Sequence, residues 1–290
     1  MTENEFLLQD RLQKIRSINE QYNLETNAYL SFSGGRDSTI LHHLLDEALP
    51  GNQIPRVYIN TGIEYKLVLN FVRQLQQQDP RIIIYNSGVN IKKMLEEKGY
   101  PFKSKEHAKY VHTFQNSGKT KSVRVYLGEE PGHTCPKFMC PPKLAYQFTQ
   151  DFKIKLSKSC CEELKKKPAA RYQRESGRTI AITGMRTAEG GMRTFITCTI
   201  FEENKLKKFH PLAPVPDDWM AGYERERERE REYSYPSFTT RLTISRGPAA
   251  KAAHLHRTYS RNSTPCTTFY RRKKSSASIY GLRFMRSTVE

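Results

Sequence analysis

An α/β fold, with a parallel sheet and helices packed on both of its faces, is predicted by three features of the sequence. Short aliphatic and aromatic runs alternate with stretches of helical periodicity through the first hundred residues. Pro-Gly and Gly-Tyr-Pro signals punctuate those stretches. A Gly-Gly loop joins the first strand to the next helix, the usual connection in sheets of this class.

The elements follow in order. Phe6, Leu8, Leu12, Ile15 and Ile18 are spaced for a leading amphipathic helix over residues 6–22. Ala28–Phe32 reads as a strand, followed by Ser33-Gly34-Gly35-Arg36-Asp37-Ser38. Ile40, Leu41, Leu44 and Leu45 carry a helix up to Pro50-Gly51. Strands are expected at Arg56–Asn60 and Arg81–Tyr85, and helices at Lys66–Gln78 and Ile91–Lys98, the latter stopping at Gly99-Tyr100-Pro101. Residues 102–134, polar and basic with little periodicity, read as a long surface excursion of the kind that forms substrate loops or lids. Thr179–Thr183 is a further strand, closing on Gly184, and globular character continues to Trp219.

Charge divides the 290-residue chain unevenly. Its 48 Lys+Arg and 30 Asp+Glu leave +18, yet residues 233–290 hold eleven Lys/Arg and a single acid, Glu290. That region supplies +10, so the first 232 residues contribute +8, which suits binding of a multiply charged nucleotide without requiring nucleic acid. Between the two regions, Glu224–Glu232 is a strict Glu-Arg alternation, readable as a solvated charged helix or linker and, in the coding strand, as a GA repeat. Residues 233–290 have seventeen Ser/Thr and only seven Ile/Leu/Val/Met, too little aliphatic surface to offset ordering entropy. The expected layout is a leading helix at 1–23, a nucleotide-binding domain at 24–222, the repeat at 223–232, and a disordered tail at 233–290, frame-shifted or spliced on. The acidic start Met1–Glu5 lacks a signal-peptide pattern, and Ile82–Ile84 is far short of the ~20 apolar residues that span a bilayer. Six cysteines are too few for a disulfide scaffold. A soluble cytoplasmic protein with no membrane partner is expected.

The Ser33–Ser38 string carries the chemistry. Two glycines let backbone N–H groups approach a ligand, and the helix N-terminus behind them adds donors and partial positive charge. Ser33 and Ser38 can donate hydroxyl hydrogen bonds and Arg36 can neutralise phosphate. A plain Gly-Gly turn with an Asp/Ser helix cap shares only part of this string, so phosphate binding is the expectation. Ser117-Gly118-Lys119-Thr120 is no Walker A loop, because Thr113 stands where its first glycine belongs, and no Gly-x-Gly-x-x-Gly occurs.

Ser-Gly-Gly-x-Asp-Ser resembles the PP-loop of the adenine nucleotide α-hydrolase-like enzymes, and three further segments are similar to their phosphoadenosine phosphosulfate (PAPS) reductase branch. These are Thr61-Gly62-Ile63-Glu64, with Asn60 where that branch has Asp; Gly184–Arg193, a Gly-x-Arg-x-x-Glu…Arg element; and His210-Pro211-Leu212 followed by Trp219. The resemblance runs from about Leu24 to Trp219. It implies a Rossmann-like enzyme of sulfur metabolism acting on an adenine nucleotide. Either ATP is cleaved to AMP and pyrophosphate for sulfur transfer, with Mg²⁺ bridging phosphates, or the sulfonate of APS or PAPS is reduced to sulfite.

Carried over, the nucleotide-binding residues are Ser33, Gly34, Gly35, Arg36, Asp37, Ser38, Thr61, Gly62, Glu64, Gly184, Arg186 and Glu189. Asp37 is assigned to orienting the loop or holding a metal, and Arg186 and Arg193 to clamping phosphate or sulfate oxygens. Cys160-Cys161 resembles half of a four-thiolate iron–sulfur site. Downstream stand only Cys198 and Cys266, with no Cys-x-x-Cys and no Glu-Cys-Gly nucleophile. Cys135 and Cys140, near His133, form a weak metal pattern of four-residue spacing. A sulfur- or electron-donor protein and a homodimer are compatible partners. The competing readings are a non-catalytic module whose basic tail grips nucleic acid, and an inactive truncated product.

Overall fold

The computed structural model describes residues 2–131 and 138–229. The proposed tail, most of the Glu-Arg repeat's second half, Cys135, His133 and Cys266 lie outside the described residues. The elements are α1 (Glu3–Tyr22), α2 (Leu24–Asn27), β1 (Ala28–Ser31), α3 (Arg36–Ala48), β2 (Arg56–Asn60), α4 (Lys66–Gln78), β3 (Ile82–Asn86) and α5 (Ile91–Lys98). There follow α6 (Lys105–Ser117), α7 (Lys121–Leu127), α8 (Lys167–Ser176), β4 (Ile180–Ile182), β5 (Thr199–Glu202), β6 (Lys205–Phe209) and α9 (Asp217–Arg229).

The six strands form one sheet in the order β3-β2-β1-β4-β6-β5. The neighbours from β3 to β6 run parallel, and only the β5–β6 hairpin is antiparallel. That hairpin escapes sequence reading because Lys205–Phe209 is lysine-rich. Its turn, Glu203-Asn204, takes positive φ at both residues (50° and 59°), the twist that suits a two-residue hairpin.

Period-two alternation divides the sheet between two cores. Leu30, Tyr58, Ile82, Ile180 and Ile182 face the main core, where they meet Leu12, Ile15 and Ile18 of α1, Leu41, Leu44 and Leu45 of α3, and Trp219 and Met220 of α9. Tyr29, Val57 and Ala181 face the other side against Tyr172 of α8. The leading helix is therefore part of the main core rather than an appendage. Trp219 Nε1 also donates to the Asn4 carbonyl at 3.0 Å, tying the helix's start to α9.

The excursion expected over 102–134 is corrected by the structure. It is a helical insert with a core of its own: Val111, Val123 and Tyr126 pack with Phe148 and Leu156. His107 occupies a core position, fully buried, with Nδ1 2.9 Å from the Tyr126 hydroxyl and Nε2 2.9 Å from Gln147 Oε1. A buried face built from His, Tyr and Gln, with its partners 19 and 40 residues downstream, carries almost no hydropathy signal.

Beneath the sheet's N-terminal ends, Arg56 is completely buried. Its Nη2 donates to Asp46 Oδ1 at 2.7 Å, its Nη1 to Asn52 Oδ1 at 2.8 Å and to the Ile54 carbonyl, and its Nε to His42 Nδ1 at 3.1 Å. That last bond requires an unprotonated Nδ1. Burial, reinforced by the Arg56 charge, pushes His42 down to about 4; burial and His42 also push His43 well below its ordinary range. Between pH 6.5 and 4 the unfolded chain therefore binds more protons than the fold, and stability rises with pH across that window. From pH 7 to pH 5, His42 alone should cost about 2 kcal/mol. Urea midpoints measured across this range should fall with acidification, and a flat profile would refute the assignment. Among the described residues no helix is long and apolar enough to cross a membrane.

Candidate phosphate-binding site

The loop Ser33–Gly35 leaves the C-terminal end of β1 and enters α3 at its N-terminus. Its shape is held by its own hydroxyls: Ser33 and Ser38 Oγ lie 3.0 Å apart, Ser38 Oγ donates to the Gly35 carbonyl at 2.9 Å, and Gly35 N donates to Ser33 Oγ at 3.3 Å. Gly34 has φ +68°, and a Cβ there would meet Val72 Cγ2 of α4 at 2.9 Å, so both conformation and contact require glycine. The N-cap of α3 is Gly35, which offers no side-chain acceptor to the amides of Arg36, Asp37 and Ser38. A 13-residue helix thus presents its positive end and first-turn donors at the mouth of the loop.

A second strand end closes against this turn. A Cβ on Gly184, just after β4, would stand 3.0 Å from both the carbonyl carbon and oxygen of Asp37, which explains the glycine. Beyond it, Arg186 is buried: Nε donates to Asp37 Oδ2 at 3.2 Å, Nη2 to Asp217 Oδ1 at 2.7 Å and Nη1 to the Val215 carbonyl at 3.2 Å. Burial lowers this guanidinium's pKa, but Asp217 and Asp37 outweigh burial and hold it above its ordinary value. The expectation for Arg186 was an open phosphate clamp; its donors instead face these internal acceptors. Arg193 is half-exposed and paired with Glu189, whose other oxygen accepts the Arg186 amide at 3.3 Å. Arg36 pairs with Glu224 at 3.2 Å. The first part of the Glu-Arg repeat is therefore packed on the loop helix rather than only solvated.

The turn after β2 lies beside the loop, since β1 and β2 are neighbours. Glu64 accepts from the Thr61 amide at 3.0 Å and the Thr61 hydroxyl at 2.5 Å, and the Gly62 amide donates to Asn60 Oδ1 at 3.1 Å. On the far side, His210 follows β6; its Nδ1 is 2.6 Å from Thr183 Oγ1, and burial lowers its pKa. Sequence reasoning missed Asp217, which belongs to no local motif, and read Glu224 only as the start of a solvated repeat, not as a partner of Arg36. The only signal was an acidic first turn ahead of Trp219.

Among the described residues the thiols do not complete a metal centre. Cys160 and Cys161 are adjacent and half-buried, and among the described residues no group of three or more His, Cys, Asp or Glu is placed to hold a metal. Two thiolates cannot close a four-thiolate site, so the described residues do not fit an iron–sulfur cluster. Cys140 and Cys198 have thiols pushed up by burial, away from nucleophilic or metal-ligating character.

Residues 27–132 match the model of the phosphoadenosine phosphosulfate reductase domain family. The match covers the first half of the sheet and the phosphate-loop candidate, and stops short of β4. The matched stretch contains the Ser33–Ser38 loop, β1–β3 and α3–α7. An uncharacterized protein of Methanocaldococcus jannaschii is 29% identical over 85 residues, which cover 29% of this chain and 19% of that protein. The chain thus matches only about a fifth of that relative's length. Among solved structures, PAPS reductase from Candida auris in a phosphate complex is similar at 14% identity and TM-score 0.41, covering 82% of this chain and 96% of that one. NH3-dependent NAD synthetase from Campylobacter jejuni, bound to nitrate, is similar at 13% identity and TM-score 0.42, covering 89% and 88%. The U34-tRNA thiolase NcsA from Methanococcus maripaludis, with its [4Fe-4S] cluster, is similar at 15% identity and TM-score 0.40, covering 89% and 75%.

Proposed function

We propose that the PAPS-reductase-type domain is an enzyme of sulfur metabolism that binds the phosphates of an adenine nucleotide (ATP, APS or PAPS) at Ser33–Ser38. The observation that supports this most is the uncapped first turn of α3, aimed from a glycine loop that its own serines hold rigid. First-turn amides cost no reorganisation when they receive phosphate charge. Ser33 and Ser38 can donate to phosphate only by turning their hydroxyls out of the bonds they make within the loop. Arg36 swings from Glu224 to neutralise phosphate.

Asp37 works through Arg186. Pinned by that guanidinium, it orients the loop helix without presenting free negative charge to the nucleotide. Thr61, Gly62 and Glu64 form the neighbouring wall, and Gly184 and Glu189 hold the β4 side in place. Half-exposed Arg193 is the arginine left to meet a phosphate or sulfate oxygen. Mg²⁺, when ATP is the substrate, would come in with the phosphates, because the described residues hold no ready-made metal site.

Calorimetry with ATP, PAPS and AMP should detect saturable binding that weakens about tenfold in Arg36→Ala, the loss of one charge-assisted contact. Product analysis then separates the two chemistries: pyrophosphate from ATP marks activation for sulfur transfer, and sulfite from PAPS with a thiol donor marks reduction. Absence of binding by all three nucleotides would end this reading.

A further inference from the structure

The helical insert contains a concave site that shares no residue with the Ser33–Ser38 loop. A cleft of about 300 Å³ is lined by Phe102, Lys103, Lys105, Lys158, Cys160 and Cys161, among others. Three observations set it apart from ordinary surface. Phe102 is 43% exposed, a large aromatic residue left in contact with water. Lys103 holds φ +56°, a left-handed conformation that lysine rarely adopts and that marks an imposed geometry. Directly after the cysteines, Glu162–Lys166 forms a π-helical turn, an irregularity that recurs at functional sites.

Charge points to the occupant. Residues 98–175 contain seventeen Lys/Arg and seven Asp/Glu. Five of those seven acids are already matched, Glu129 by Lys119, Glu130 by Arg124, Glu162 by Lys166, Glu163 by Lys167 and Glu175 by Arg171. Lys103, Lys105 and Lys158 are exposed and form no ion pair among the described residues. A groove of unmatched lysines beside an exposed ring is the arrangement that holds a single strand by its phosphates and stacks a base.

We infer that this cleft binds single-stranded nucleic acid, with phosphates on Lys103, Lys105 and Lys158 and one base stacked on Phe102. The inference is independent of the nucleotide reading above, and it places polyanion binding on the folded insert rather than on the basic tail.

The test is fluorescence anisotropy of a labelled 12-nucleotide strand (oligo-U and oligo-dT) with the full chain between 50 and 200 mM salt. The triple substitution Lys103→Gln, Lys105→Gln, Lys158→Gln should weaken binding and make the log–log salt slope shallower by about 2, three phosphates at ~0.7 each. Phe102→Ala should weaken binding roughly tenfold with an unchanged slope, and Phe102→Trp should restore it. Thermal midpoints matching the parent show that these exposed substitutions leave the fold intact. An unchanged slope in the triple variant would overturn the proposal and assign binding to the tail. So would displacement of the strand by a small excess of UMP or AMP, which would make the cleft a pocket for free nucleotides.

Discussion

Asp46→Asn should lower the free energy of unfolding by about 3–5 kcal/mol, read as a shift in the urea midpoint at pH 7 with an unchanged slope. The cause is Arg56. Its guanidinium has no access to water, and burial lowers its pKa to about 10 even with Asp46 opposing that effect. Among the described residues Asp46 is its only carboxylate hydrogen-bond partner, and it also takes two hydrogen bonds from Arg81, at 2.7 and 3.0 Å. Neutralising Asp46 leaves two guanidinium groups facing each other across an amide, one of them fully desolvated. Arg56→Met should be milder than Asp46→Asn, because it removes the stranded charge and keeps most of the side-chain volume. If Asp46→Asn costs less than 1 kcal/mol, solvent reaches Arg56 and the account fails.

Gly184→Ala should reduce nucleotide binding ten- to a hundredfold, measured by calorimetry, and lower stability by about 1–3 kcal/mol. The added methyl would press on the Asp37 carbonyl at 3.0 Å and the Ser38 amide at 3.2 Å. Both are backbone atoms of the first turn of α3, which cannot turn aside as a side chain can. Relief comes only by moving the helix start, and with it the amides proposed to hold phosphate. The Asp37–Arg186 bond at 3.2 Å would stretch along with it. Binding that survives Gly184→Ala intact would place the phosphates elsewhere.

How much was legible depended on how local each signal was. β2, α4 and α5 fall on the residues that periodicity indicates, Arg56–Asn60, Lys66–Gln78 and Ile91–Lys98, because each buries an aliphatic face within a few residues of its own chain. The turn at Ser33–Ser38 was readable for the same reason: its glycines, serines and Asp37 act within one turn. The insert was not, because its core relies on His107 bonding Tyr126 and Gln147, polar residues that read as surface. The hairpin β5–β6 was hidden by its lysines.

The sequence by itself determined the strand–helix alternation, the Ser33–Ser38 string and the resemblance that this string carries. These depend on backbone preference and on side-chain periods of two and 3.6, which act over short stretches of chain. Only the tertiary structure decided what the charged residues do. Arg186 meets Asp37 across 149 positions and Asp217 across 31, Arg36 meets Glu224 from the repeat, and Arg56 is committed to Asp46 beneath the sheet. A charged side chain's role depends on its distance to other charges and on the water between them. Both are set by packing between elements far apart in the chain.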